Sequence, residues 1–90
     1  MIELHAIFKG RVQGVGFRWT VVDHAEKFHL TGTTKNLSDG SVEVLAQGSK
    51  EALEEFLRAV QADSGPAHIE SVKSVYKKPT KTYSEFRIVH

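Results

Sequence analysis

The sequence predicts an α+β fold, a split βαβ sandwich in which one mostly antiparallel sheet carries two helices on one face. Apolar residues recur at every second position in some segments and at helical spacing in others. These segments follow one another as strand, helix, strand, strand, helix and strand, with a short final strand. The length of 90 residues, 40% of them hydrophobic, suits a single domain spanning residues 1–90.

The first half of the chain predicts a strand, a helix and a hairpin. Apolar side chains alternate over residues 2–9, and they recur at helical spacing over residues 17–28. We expect Gly32, just beyond this helix, to help end it. Residues 31–46 contain two strand-like segments separated by Ser38-Asp39-Gly40, whose residue types favour a turn. A hairpin is therefore predicted there.

The second half predicts a helix and two strands. Ser49 is a suitable N-cap for a helix whose buried stripe covers residues 53–60. Asp63-Ser64-Gly65-Pro66 ends that helix, and residues 69–76 and 86–89 are typical of strands. The complete order of elements is the ferredoxin-like plan, with both helices on the same face of the sheet.

Composition and charge exclude several classes of function. Twelve basic residues oppose eleven acidic ones, so there is no general attraction to nucleic acid or to a membrane surface. The absence of cysteine excludes disulfides, thiolate metal sites and a cysteine nucleophile. Charged residues interrupt the apolar run near the N-terminus, and no apolar run approaches membrane-spanning length. We expect a cytoplasmic monomer.

The most unusual segment is the glycine-rich stretch of residues 10–16, GRVQGVG, between the first strand and the first helix. Gly14 and Gly16 permit a tight turn that points backbone amides inward. The stretch leads into a helix N-terminus, where free N–H groups and the helix dipole favour an anion. Arg18 could complete a phosphate-sized cradle with its planar guanidinium. The alternative is a tight connection followed by a surface arginine.

Two familiar phosphate loops do not fit this stretch. A P-loop needs Gly-Lys-Ser/Thr at its end, whereas Gly16 is followed by Phe17 and Arg18. The dinucleotide fingerprint needs another glycine three residues after Gly16, where Trp19 stands. ATP and NAD are therefore poor candidates as ligands.

Two motifs carry a resemblance to a known family. Residues 10–18, GRVQGVGFR, match one signature throughout. A second signature is matched in order and spacing by Gly32, Asn36, Gly40, Val42 and Gly48. With these motifs the sequence resembles the acylphosphatase family over essentially its whole length. Thr33 and Thr34 depart from the usual aromatic and small apolar residues, and we expect any consequence to concern local packing or substrate preference rather than the chemistry.

The resemblance implies a site and a reaction. Arg18 would bind phosphate together with amides of the loop, at Gln13, Gly14, Val15, Gly16, Phe17 and Arg18 itself. Asn36, on the neighbouring strand, would orient the attacking water. The implied substrate is a small acyl phosphate, with inorganic phosphate or sulfate as site ligands and with no metal and no cofactor.

Metal-binding and RNA-binding functions fit the sequence poorly. His24 and His29 are five residues apart, which does not pair them on a helix as metal ligands. An RNA-binding reading of this fold needs aromatic residues on the central strands, and residues 40–48 contain none. Two alternatives stay open: a domain of a larger carbamoyl-handling protein, and a non-enzymatic anion-binding module that would not need Asn36. The single-domain length favours a free-standing hydrolase.

Overall fold

The computed structural model describes residues 1–90 and contains the seven predicted elements in the predicted order. Five strands form one sheet, and two helices pack against it. The elements are β1 (Ile2–Arg11), α1 (Phe17–Lys27), β2 (Thr31–Asn36), β3 (Val42–Gly48), α2 (Lys50–Ala62), β4 (His68–Lys77) and β5 (Phe86–Val89). The predicted fold class, a ferredoxin-like α+β sandwich, is confirmed. Neither helix has the length and apolar character needed to cross a membrane.

Three of the strands end at the same edge of the sheet. The strand order is β4-β1-β3-β2-β5, with β3 antiparallel to both β1 and β2, and with β5 parallel to β2. β1, β2 and β5 therefore run in one direction, and they end at what we call the C-terminal edge. Val42 of β3 pairs with both Phe8 of β1 and Asn36 of β2. This register brings Asn36 level with the last part of β1.

The hydrophobic core fixes the start of α1 against β1. Phe17, the first residue of α1, is 1% exposed, and its ring meets that of Phe8 edge-on with 5.3 Å between centroids. Full burial of a phenylalanine side chain contributes about 1.5–3 kcal/mol. The loop between β1 and α1 is therefore held between two anchored residues, Val12 and Phe17, both of which belong to the core cluster.

The end of α1 differs from the prediction. The helix ends at Lys27, and His29 rather than a glycine adopts the left-handed conformation just beyond it, with φ of 56°. The prediction that Gly32 helps to end the helix is wrong. Gly32 lies within β2, where a Cβ atom would stand 1.8 Å from the Leu45 carbonyl oxygen. Close approach of β2 to β3 therefore explains this glycine.

A buried polar cluster ties the β4–β5 connection to the sheet face away from the helices. The Gln47 amide nitrogen donates to Glu3 at 2.9 Å and to the Lys81 carbonyl at 2.6 Å. The Tyr83 amide donates to the Gln47 side-chain oxygen at 3.4 Å, and the Lys77 ammonium lies 3.5 Å from the Glu3 carboxylate. Lys77, through its ammonium group, and Lys81, through its backbone carbonyl, thus take part in structural contacts.

Candidate active site

The loop between β1 and α1 depends on two left-handed glycines. Gly14 and Gly16 both have φ of 77°, and Gly16 is the N-cap residue of α1. No heavy atom lies within 4 Å of a Cβ built on either glycine. The need for glycine therefore comes from the backbone conformation, which costs other residues about 1–2 kcal/mol, and not from lack of space.

The amides of this loop are free of protein partners. None of the backbone hydrogen bonds outside the helices and strands is donated by residues 13–16. The only backbone bond from the start of α1 to the loop runs from the Thr20 amide to the Gly16 carbonyl at 3.2 Å. No side chain caps α1, and its first turn has no acidic residue. The helix N-terminus and the loop together present unpaired donors that an anion can satisfy.

Arg18 adds a positive charge to these donors. It lies in the first turn of α1 and is half-buried. Each ion pair of the structure joins other residues, so no carboxylate neutralises the Arg18 guanidinium. A guanidinium in this position can bind phosphate oxygens through its planar fork of N–H groups.

Asn36 stands at the end of β2, beside the loop in space. It shares a sheet face with buried Thr34 two residues earlier, so its side chain is on the helix side of the sheet. Its Oδ1 atom is buried and has no hydrogen-bond partner. An unpaired buried acceptor lowers the stability of the fold by about 1–3 kcal/mol. A hydrogen bond from a donor that reaches this atom would therefore be favourable. The same condition holds for the hydroxyls of Thr31 and Thr34, which lie in the same strand.

Gln13 joins the loop to the hairpin that carries Asn36. Its side-chain nitrogen donates to the carbonyls of Leu37 at 2.7 Å and Ser41 at 2.9 Å. Both N–H bonds of the amide are used, and both acceptors belong to the β2–β3 connection. The sequence assigns Gln13 to the site through its backbone amide only. The side-chain contact spans 24 and 28 residues, so no local sequence pattern reveals it.

The β2–β3 turn is shaped by Asp39. Its carboxylate accepts hydrogen bonds from the Ser41 hydroxyl and from the Ser41 amide, the latter at 3.0 Å. The Ser41 hydroxyl, followed by the Ser41 amide, lowers the pKa of Asp39 below its ordinary value. Asp39 is exposed and engaged with the turn, which supports its predicted role in the hairpin.

The loop of residues 13–16, the start of α1 that carries Arg18, and Asn36 at the end of β2 all lie at the C-terminal edge. The loop of residues 13–16 and the start of α1 supply unpaired amides, Arg18 supplies a free guanidinium, and Asn36 supplies an unpaired carbonyl oxygen. Gln13 bonds to Leu37, the residue next to Asn36, which puts the two parts of the site side by side.

Comparisons with known proteins agree with the family that the two sequence motifs indicate. A model of the acylphosphatase family matches residues 4–88. An acylphosphatase of Bacillus licheniformis is 41% identical over 88 residues, covering 98% of each chain. The crystal structure of acylphosphatase from Bacillus subtilis superimposes with a TM-score of 0.94 at 38% identity, over 100% of both chains. A crystal structure of full-length HypF, in a phosphate- and nucleotide-bound form, matches 100% of this chain at 28% identity and a TM-score of 0.89, with 12% of HypF covered.

The fold defines a small ferredoxin-like α+β domain whose loop amides and Arg18 are free to bind an anion. The family match and the full-length relatives show that the chain belongs to the acylphosphatase family and is a hydrolase. The family and the enzyme class predicted from the sequence are therefore confirmed.

Proposed function

We propose that the chain hydrolyses the carboxyl–phosphate anhydride bond of small acyl phosphates, with Arg18 and the loop amides holding the phosphoryl group and Asn36 holding the attacking water. One observation supports this most strongly. Unpaired amides, an arginine without a counter-charge and a buried unpaired carbonyl oxygen belong to segments that lie at one edge of the sheet. Each of these groups lacks what an acyl phosphate and a water molecule would supply.

The phosphoryl group would be bound by charge and by hydrogen bonds. Amides of Gln13, Gly14, Val15, Gly16, Phe17 and Arg18 donate to its oxygens. The Arg18 guanidinium neutralises the charge that spreads over these oxygens as the bond to the leaving group lengthens. Inorganic phosphate, and sulfate by its similar shape and charge, should occupy the same donors.

The reaction needs a positioned water and little acid–base catalysis. The Asn36 carbonyl oxygen accepts a hydrogen bond from water, and its amide group can donate one to the water oxygen. The water oxygen attacks phosphorus, the bond from phosphorus to the acyl oxygen breaks, and the leaving group departs as a carboxylate. A carboxylate is stable without protonation, and a phosphoryl oxygen of the substrate accepts the proton lost by water. This chemistry requires no metal and no cofactor.

The proposal is tested by the hydrolysis of benzoyl phosphate in the presence of EDTA. We expect Arg18→Ala to lower kcat/KM by at least about 10²–10³-fold, the usual effect of losing one electrostatic donor to the transition state. Asn36→Ala should lower kcat more than it weakens phosphate binding, because it removes the alignment of water. Arg58→Ala, an exposed arginine on α2, serves as the control and should keep full activity.

The alternative of a non-enzymatic anion-binding module predicts other results. Full activity of Asn36→Ala would contradict the role of Asn36. A parent protein without turnover, but stabilised against heat by inorganic phosphate, would be a binding module rather than an enzyme. We further propose a monomer acting in the cytoplasm, and the supply of every site residue by one chain supports the monomer.

A further inference from the structure

A groove beside Arg18 is not used by the reaction described above. It is the largest concavity of the molecule, encloses about 480 Å³ and lies between α1 and β5. Half of its lining is apolar, from Trp19, Val22, Phe86 and Ile88. A volume of this size, with apolar walls beside several polar groups, is suited to a small molecule.

Trp19 is the most exposed of the apolar residues that line the groove. Trp19 follows Arg18 directly in α1 and is 68% exposed, whereas Val22 and Phe86 are each 8% exposed. Isolated apolar residues at a surface are ordinary. Here the indole forms part of a concave apolar surface, and Arg18 lines the same groove. Such an aromatic plane can contact a flat apolar ligand at low entropic cost.

The charges around the groove do not favour a second anion. Arg87 also lines it, but its guanidinium pairs with the Glu85 carboxylate, with Nε to Oε2 at 2.7 Å. Glu26 adds a negative charge to the rim. Arg18 is therefore the one arginine of the groove without a carboxylate partner. In the proposed reaction its guanidinium binds the phosphoryl group.

We propose that this groove binds the acyl part of the substrate and favours acyl phosphates with an aromatic or other uncharged apolar acyl group. The inference rests on the proposed function. In an acyl phosphate only an oxygen and the carbonyl carbon separate phosphorus from the acyl side chain. A phosphoryl group bound to Arg18 must therefore place that side chain within a few bonds of the guanidinium. The apolar surface that shares Arg18 is the one formed by Trp19 and its neighbours.

The test compares two substrates of the same reacting group, benzoyl phosphate and acetyl phosphate. Trp19→Ala should lower the ratio of kcat/KM for benzoyl phosphate to that for acetyl phosphate about tenfold, mainly through KM, since an aromatic contact and its buried area are lost. Trp19→Phe should restore most of the ratio. Asp23→Ala, an exposed residue of α1 outside the groove, is the matched control and should leave the ratio unchanged.

The outcomes separate this inference from the proposed function. If both substrates are hydrolysed and Trp19→Ala leaves their ratio unchanged, the groove does not bind the acyl group and only this inference fails. If the parent protein hydrolyses neither substrate, the proposed function fails and the inference falls with it. Because acetyl phosphate reports on the folding and chemistry of each variant, a misfolded variant cannot imitate the expected change in the ratio.

Discussion

Gly14 and Gly16 supply the site with backbone rather than side-chain chemistry. Their left-handed conformation lets consecutive amides remain unpaired at a helix N-terminus, which is the basis of an anion-binding nest. Arg18 and Asn36 then add two groups that the amides lack, a permanent charge and an acceptor for water. In the proposed mechanism, the amides and Arg18 donate hydrogen bonds to the phosphoryl oxygens, and Asn36 accepts a hydrogen bond from the attacking water.

Gly32 and Gly40 illustrate two different physical reasons why a position requires glycine. Both have positive φ, of 145° and 92°, but only Gly32 faces a backbone oxygen where its Cβ would lie. We expect Gly32→Ala to lower the free energy of unfolding by about 2–5 kcal/mol, from clash and strain together. Gly40→Ala should cost about 1–2 kcal/mol, from strain alone. Urea unfolding measures both, and equal losses would contradict the close approach of β2 to β3.

At the scale of elements, the site is a junction between two units. One is the β1–loop–α1 unit, anchored by the contact between Phe8 and Phe17. The other is the β2–β3 hairpin, whose turn is closed by Asp39 and Ser41. Gln13 links the two units through two hydrogen bonds to hairpin carbonyls. The distance between the phosphate cradle and Asn36 therefore depends on this side chain.

Gln13→Met tests the link because methionine keeps the length of the side chain and removes both donors. Leu37 and Ser41 carbonyls retain their other backbone donors, so the loss in unfolding free energy should be only about 1 kcal/mol. Activity should fall more, about tenfold or beyond in kcat, because small misplacements of reacting groups are costly. Gln61→Met is the control, since Gln61 makes an exposed bond to Leu57 on α2. Unchanged kcat in Gln13→Met would show that Gln13 does not position the site.

At the scale of the whole molecule, topology assembles residues that are distant in sequence. β1, β2 and β5 are parallel in direction although β3 separates the first two, so their C-terminal ends share one edge. The loop after β1, Asn36 at the end of β2 and the groove beside β5 are therefore neighbours. A net charge of only +1 means that anion binding depends on this local arrangement and not on a general field.

Much of this arrangement could be predicted from the sequence because its signals are local. Apolar periodicity indicates the strands and helices, Ser49 caps α2 as expected with its hydroxyl 3.1 Å from the Ala52 amide, and the glycines mark the loop. The contacts of the Gln13 side chain, the role of Gly32 and the groove at Trp19 could not be predicted. Each depends on segments that only the folded chain brings together, such as β2 against β3 or α1 against β5.

In the proposed reaction, water attacks phosphorus held by the loop and Arg18, and isotope labelling of the two products tests this step. Benzoyl phosphate is hydrolysed by the parent protein in water labelled with the heavy oxygen isotope, and both products are analysed by mass spectrometry. The label should enter inorganic phosphate, and benzoate should stay unlabelled. Label in benzoate would mean that water attacks the carbonyl carbon, which would contradict a mechanism in which the cradle holds the reacting atom.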